Sequence, residues 1–140
     1  MKNFRLSFLV KTDFKYSLDL AMLDALTGAD DTIWQELADE AANEMISYLI
    51  SRYDAKVIFQ ATGTARDKTI VMYCKDLTLF HLYSRRTLGT IPQIRIDRYN
   101  NALQWLRDVS ERKINPDGFP TGSGAFVKYG SNEKRVNQQQ

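Results

Sequence analysis

The chain has 140 residues, 44% hydrophobic and 26% charged, the balance of one globular domain with a core of its own. Its 19 basic and 17 acidic side chains leave a net charge of +2, too little for a general phosphate-binding field, so any nucleic-acid contact is local. A single cysteine, Cys74, excludes an internal disulfide and a cysteine-based zinc cage.

In chain order, "MKNFRLSFLVKTDF" starts basic, but its apolar run is short, is broken by Ser7 and Lys11, and precedes no small-residue cleavage site; it does not read as a signal peptide. "FRLSFLV" alternates loosely, as a short strand or an extended arm does. "TDFKYSLDLAMLDALTG" predicts a short helix capped by Thr12 or Asp13, with Leu18, Met22 and Leu26 on one face and Gly28 at its end. "ADDTIWQELADEAANEMISYLISRYD" predicts an amphipathic helix of about six turns. Asp30 or Asp31 caps it, and Ile33, Leu37, Ala41, Met45, Ile46 and Leu49 recur at helical spacing.

The β-branched "VIF" and the Gly-Thr pair of "AKVIFQATGTARDK" read as an extended loop. "ARDKTIVMYCKDLTLFHLYSRR" then predicts the central helix, apolar around much of its circumference: Ile70, Cys74, Leu77 and His81 share a stripe, with Tyr73 and Phe80 beside it. Gly89 is expected to end it. Pro92 suits the first turn of "PQIRIDRYNNALQWLRDVSERK", whose Ile96, Tyr99, Leu103 and Leu106 alternate at spacings of three and four. The predicted fold is therefore all-α, a bundle of three long helices plus a short N-terminal helix, with an extended N-terminal arm and C-terminal tail. No stretch approaches the roughly 20 apolar residues of a membrane-spanning helix.

The domain is expected over residues 1–113 and the tail over 114–140. "INPDGFPTGSGAFVKYGSNEKRVNQQQ" carries too many prolines, glycines and polar residues to repay its own ordering entropy. Its Phe119, Phe126, Val127 and Tyr129 nevertheless give it apolar anchors, and Lys134 and Arg135 give it charges for an acidic rim, so it reads as a partner-binding tail.

Catalytic hardware is scarce. The one histidine, His81, follows Cys74 by two helical turns, about 10 Å along the axis, which is beyond hydrogen-bond reach. Core packing is the plainer use of both. Asp30 and Asp31 are accounted for by capping without a metal, and neither "GTARDK" nor "GSGAF" has the Lys-Ser or Lys-Thr ending of a phosphate-cradling loop. No catalytic, cofactor or metal residues are assigned.

Arg beside Tyr occurs twice at helical positions, as Arg52-Tyr53 in "ISYLISRYD" and as Arg98-Tyr99 in "RIDRYNNALQWLRDV". Each ring is expected in the core with its hydroxyl on a polar partner. Each arginine, at the edge of that face, can offer its fork to a carboxylate on a neighbouring helix, and Asp76 of the central helix is the candidate for Arg52 or Arg98. Together Arg52, Tyr53, Asp76, Arg98 and Tyr99 form a predicted structural network.

In order and spacing, "SYLISRYD", "CKDLTLFHLYSRR" and "PQIRIDRYNNALQWLRDVSERKINPDGFP" resemble the Mu-type phage head-tail adaptor family, over about residues 9 to 120. The matching positions are Tyr48, Leu49, Arg52, Tyr53, then Cys74, Asp76, Tyr83, Arg85, then Arg98, Tyr99, Ala102, Leu103, Trp105, Leu106 and Asp108. Two features depart from that family: "AKVIFQATGTARDK" lacks the usual proline, and "SERK" replaces the usual glycine after "WLRD". The resemblance implies a non-enzymatic helical subunit, about a dozen copies of which ring the DNA exit channel. Its expected partners are the portal protein, a stopper or tail-completion protein, further copies of itself, and DNA passing without sequence-specific binding; no membrane is involved. Its expected location is the virion neck, and the host cytoplasm during assembly. The alternative is a helical nucleic-acid-binding regulator with Arg85, Arg86 and Arg95 as its basic face, against which stands the lack of a short turn joining two DNA-reading helices.

Overall fold

In the computed structural model, which describes residues 8–85 and 90–121, the chain is all-helical, with no strand among the described residues. Helix α1 is Leu20–Thr27, α2 is Asp31–Leu49, α3 is Ala55–Gln60, α4 is Lys68–Ser84 and α5 is Gln93–Ser110. Helix α2 starts where the Asp30 carboxylate accepts the Thr32 amide at 3.0 Å, satisfying one of the free donors of the first turn. Asp67 does the same for α4 through the Ile70 amide at 3.0 Å.

The core lies where α2, α4 and α5 pack on one another, with α1 laid against α2 and α4. Helix α4 is the central one. Ile70, Cys74, Leu77, Leu79 and Leu82 are fully buried, so its apolar surface faces neighbours on several sides. Each large aliphatic side chain buried this way contributes about 1.5 to 3 kcal/mol. Aromatic pairs set the register of α4 on α5: Tyr73 meets Trp105 at 4.9 Å between centroids and Phe80 stacks on Tyr99 at 4.0 Å, so the two helices run antiparallel.

The N-terminal segment differs from the single short helix predicted. Lys11–Phe14 is a separate 3-10 turn, and α1 begins only at Leu20. The reason is geometric. Phe14 and Leu23 are both fully buried, Phe14 against Trp34 at 5.5 Å, yet nine residues at about 100° each would set them on opposite faces of one continuous helix. The chain breaks between them, leaving Met22 half exposed where it was expected to face inward. Gly28 closes α1 in the left-handed conformation, φ 67°.

The stretch expected to be an extended loop contains α3. Ala55, Ile58 and Phe59 are all buried at positions i, i+3 and i+4, and that helical period outweighs the β-branched composition of "VIF". The segment has no proline to interrupt it. At the other departure from the family pattern that the sequence resembles, Arg112 of "SERK" takes φ 67°, which a glycine adopts at lower cost. Hydrogen bonds donated by the Arg112 amide to the Val109 carbonyl and by the Lys113 amide to the Asp108 carbonyl, 3.1 and 2.8 Å, hold it there and close α5. Gly89, expected to end α4, and Arg86 lie outside the described residues; α4 runs to Ser84 with Arg85 at its cap.

Candidate functional site

An acid on the otherwise apolar face of α4 must find a partner once it is taken from water. Asp76 is 5% exposed, and its Oδ1 accepts from Arg98 Nε at 2.8 Å across the α4–α5 seam. Of the two arginines considered for it, Arg98 is the one that meets it. Burial pushes the Asp76 carboxyl above the usual carboxylate range, and the Arg98 charge only partly opposes this. Arg98 itself is 42% exposed, so one end of the pair is anchored in the core and the other reaches water. On the adjoining face of α5, Tyr99 stacks on Phe80, with its hydroxyl 3.5 Å from Glu44 Oε2. Burial and the Glu44 charge raise the Tyr99 phenol, which keeps it protonated.

Arg52 does something else. Its guanidinium donates to the Val109 carbonyl at 2.6 Å, to the Ile114 carbonyl at 3.1 Å and to Asn115 Oδ1 at 2.7 Å. It therefore ties the end of α2 to the end of α5 and to the segment that follows. Helix termini expose carbonyls that need donors, and a planar fork can serve several at once. The guanidinium also lies 4.9 Å from the Tyr53 ring centroid. Tyr53 is buried and meets Phe119 edge-on at 5.2 Å, and the Asp54 amide donates to the Pro120 carbonyl at 2.8 Å.

Residues 114–121, assigned to the tail from composition, thus lie against the bundle, with Phe119 between Tyr53 and Trp105. An intramolecular contact occupies the first of the anchors expected to bind a partner. Phe126, Val127, Tyr129, Lys134 and Arg135 lie outside the described residues.

A second arginine–carboxylate pair has no counterpart among the sequence-based expectations. Arg66 grips Asp13 with both terminal nitrogens, at 2.7 and 3.0 Å, and also donates to the Phe8 and Gly63 carbonyls. Asp13, which the sequence suggested as a helix cap, accepts the Val10 amide at 2.7 Å as well. Burial alone would raise its carboxyl, but Arg66 and the Val10 amide outweigh that and hold it below the usual range. This pair fastens the N-terminal segment to the start of α4.

Cys74 is fully buried, and burial drives its thiol far above the usual range, away from the thiolate form a nucleophile needs. His81 is turned to α2, with Nε2 3.3 Å from Glu44 Oε1. No group of three or more His, Cys, Asp or Glu side chains among the described residues is arranged to hold a metal ion. No described helix is long and apolar enough to cross a membrane.

The geometry defines a small all-α domain whose polar side chains fasten helices and chain ends to one another. The chain belongs to the family described as Bacteriophage Mu, Gp36, which matches residues 11–121, well over half its length. It is thus a protein of a Mu-type phage family, one of phage structure and assembly. The match begins at the 3-10 turn held by Asp13 and ends with the segment clamped by Arg52. No curated protein and no solved structure matches the chain.

Proposed function

We propose that the chain is a non-enzymatic subunit of the head-to-tail connector, one of about a dozen copies in an adaptor ring. It docks under the portal protein and meets a stopper or tail-completion protein on its other side, with DNA passing through the channel unread. It works at the virion neck after assembly in the host cytoplasm. The observation that carries this reading is the coincidence of the phage-family span with one fastened helical unit, from the Asp13–Arg66 pair to the Arg52 clamp. Such a unit can keep its surfaces in fixed relation while partners bind them, which is what a connector requires.

Residues 122–140 lie beyond the matched span and carry Phe126, Val127, Tyr129, Lys134 and Arg135, and in this reading they bind the portal or a neighbouring copy. A ring presents many such tails at once, so each later contact forms at high effective concentration. A chain ending at residue 121 is expected to keep its melting temperature while its affinity for purified portal, read by co-sedimentation, drops about tenfold or more. A chain ending at residue 118 also loses Phe119 and is expected to lose about 2 kcal/mol of stability. Unchanged portal affinity in the first truncation reduces the tail to a linker, and a full chain that ignores portal at micromolar concentration contradicts the connector reading.

A further inference from the structure

Every charged side chain of α2 is acidic. Asp31 meets Lys11 and Glu44 meets His81, but Glu36 and Glu40 are exposed and have no basic partner among the described residues. Like charges one turn apart repel each other along a helix, so this pair gains nothing within its own chain.

A matching feature lies at the α4–α5 seam. Arg98 gives Nε to Asp76 and leaves both terminal amino groups without a partner among the described residues. Because Asp76 is anchored in the core, the guanidinium is held in a fixed plane, and a pre-oriented fork loses little entropy when it takes a carboxylate. Arg95 stands one turn earlier on the same face of α5, near enough for its charge to act on Asp76. Tyr99 is the residue α5 turns toward Glu44 of α2, and Arg98, about 100° round the helix, meets α4 instead. Among the described residues, no ion pair joins Glu36 or Glu40 to Arg95 or Arg98 within one chain.

We propose that Arg95 and Arg98 of one copy receive Glu36 and Glu40 of a second copy of this chain. Both pairs span roughly one helical turn, about 5 to 6 Å between side-chain roots, so two arginine forks can face two carboxylates in register. The contact is heterologous: each copy offers both surfaces, so it repeats head to tail and closes into a ring where the rotation allows. It deepens the ring reading given above and rests on it for closure. Exposed charges of this kind are screened within about 8 Å at physiological ionic strength, so the contact weakens with salt.

Sedimentation velocity of the full chain over a concentration series, at low and high salt, tests this. The wild-type chain is expected to self-associate at low salt, and Glu36→Lys with Glu40→Lys to weaken association about tenfold or more. Arg95→Glu, which leaves the Asp76–Arg98 pair in place, is expected to do the same, and Arg95→Glu combined with a single lysine, Glu36→Lys or Glu40→Lys, to recover most of the association in the combination that restores the swapped pair. Unchanged association in the double lysine variant, or no recovery when Arg95→Glu is combined with either single lysine, overturns the contact. So does a wild-type chain that stays monomeric at every concentration; portal binding by that same chain leaves the connector reading standing. Charge-dependent self-association without portal binding instead supports the contact and contradicts the connector. Duplex DNA retention lost in Arg95→Glu, with self-association unaltered, assigns the arginines to phosphate and overturns the proposal as well.

Discussion

Replacing Arg66 with alanine is expected to destabilise the fold by about 3 kcal/mol at neutral pH, the cost of stranding one partner of a buried ion pair. Both side chains are close to fully covered, 13% and 12% exposed, and Arg66 satisfies two carbonyls as well as the carboxylate. The pH dependence gives the cause a signature. In the wild-type chain the Asp13 carboxyl sits below its usual value of 3.8. Its stabilisation is therefore fully present above that value and is lost as pH falls through the lower folded value. Without Arg66, burial dominates and the carboxyl rises, so the deficit of the variant shrinks on acidification as Asp13 takes up a proton. Urea unfolding at about pH 7 and about pH 4 reads both effects. A loss below about 0.5 kcal/mol at pH 7, the range of surface changes, would mean the pair is only decorative.

Arg98→Ala is expected to cost about 3 kcal/mol, and Asp76→Ala only about 1 kcal/mol. The asymmetry follows from exposure. Without Arg98, a carboxylate that is 5% exposed loses its counter-ion, whereas without Asp76 a guanidinium that is 42% exposed turns to water. The sign of the pH effect is opposite to that of Asp13. Asp76 already has a raised carboxyl, so the folded chain binds its proton more tightly than the unfolded one, and this group's contribution grows as pH falls through the folded value toward 3.8. Losing Arg98 widens that window upward. Equal costs for the two substitutions, or an Arg98→Ala deficit that deepens on acidification, contradict this pairing of a buried acid with a half-exposed base.

These two pairs also show what was legible in the sequence. Asp76 interrupts an apolar stripe, and an acid there demands a partner on a neighbouring helix, so the pattern narrows the partner to Arg52 or Arg98, and the contact across the α4–α5 seam selects Arg98. Asp13 and Arg66 are 53 positions apart, one in a place that reads as a helix cap and the other in a stretch that reads as a loop. Nothing local marks them as partners. The three long helices are legible because each repeats its apolar residues over four or more turns. The short elements are not: α3 has a single turn and a half of buried residues in a β-branched setting, and the break after Phe14 exists because two buried residues fall on opposite sides of the helical period.

The repeated Arg-Tyr pair resolves into two different devices. Arg98 is held from behind by a buried carboxylate and presents its fork outward, while Arg52 spends its donors on carbonyls and closes the C-terminal end of the domain. One arginine is free to meet another molecule; the other holds the segment from which the tail departs. That division suits a subunit with an intersubunit face and a separate partner-binding end.

Cryo-electron microscopy of the neck of an assembled particle is the most direct test of the connector reading. The expected result is a ring of about a dozen copies immediately below the portal, with α2 of each copy against the α4–α5 seam of the next. Particles that lack this chain, or that carry it away from the portal junction, would contradict it.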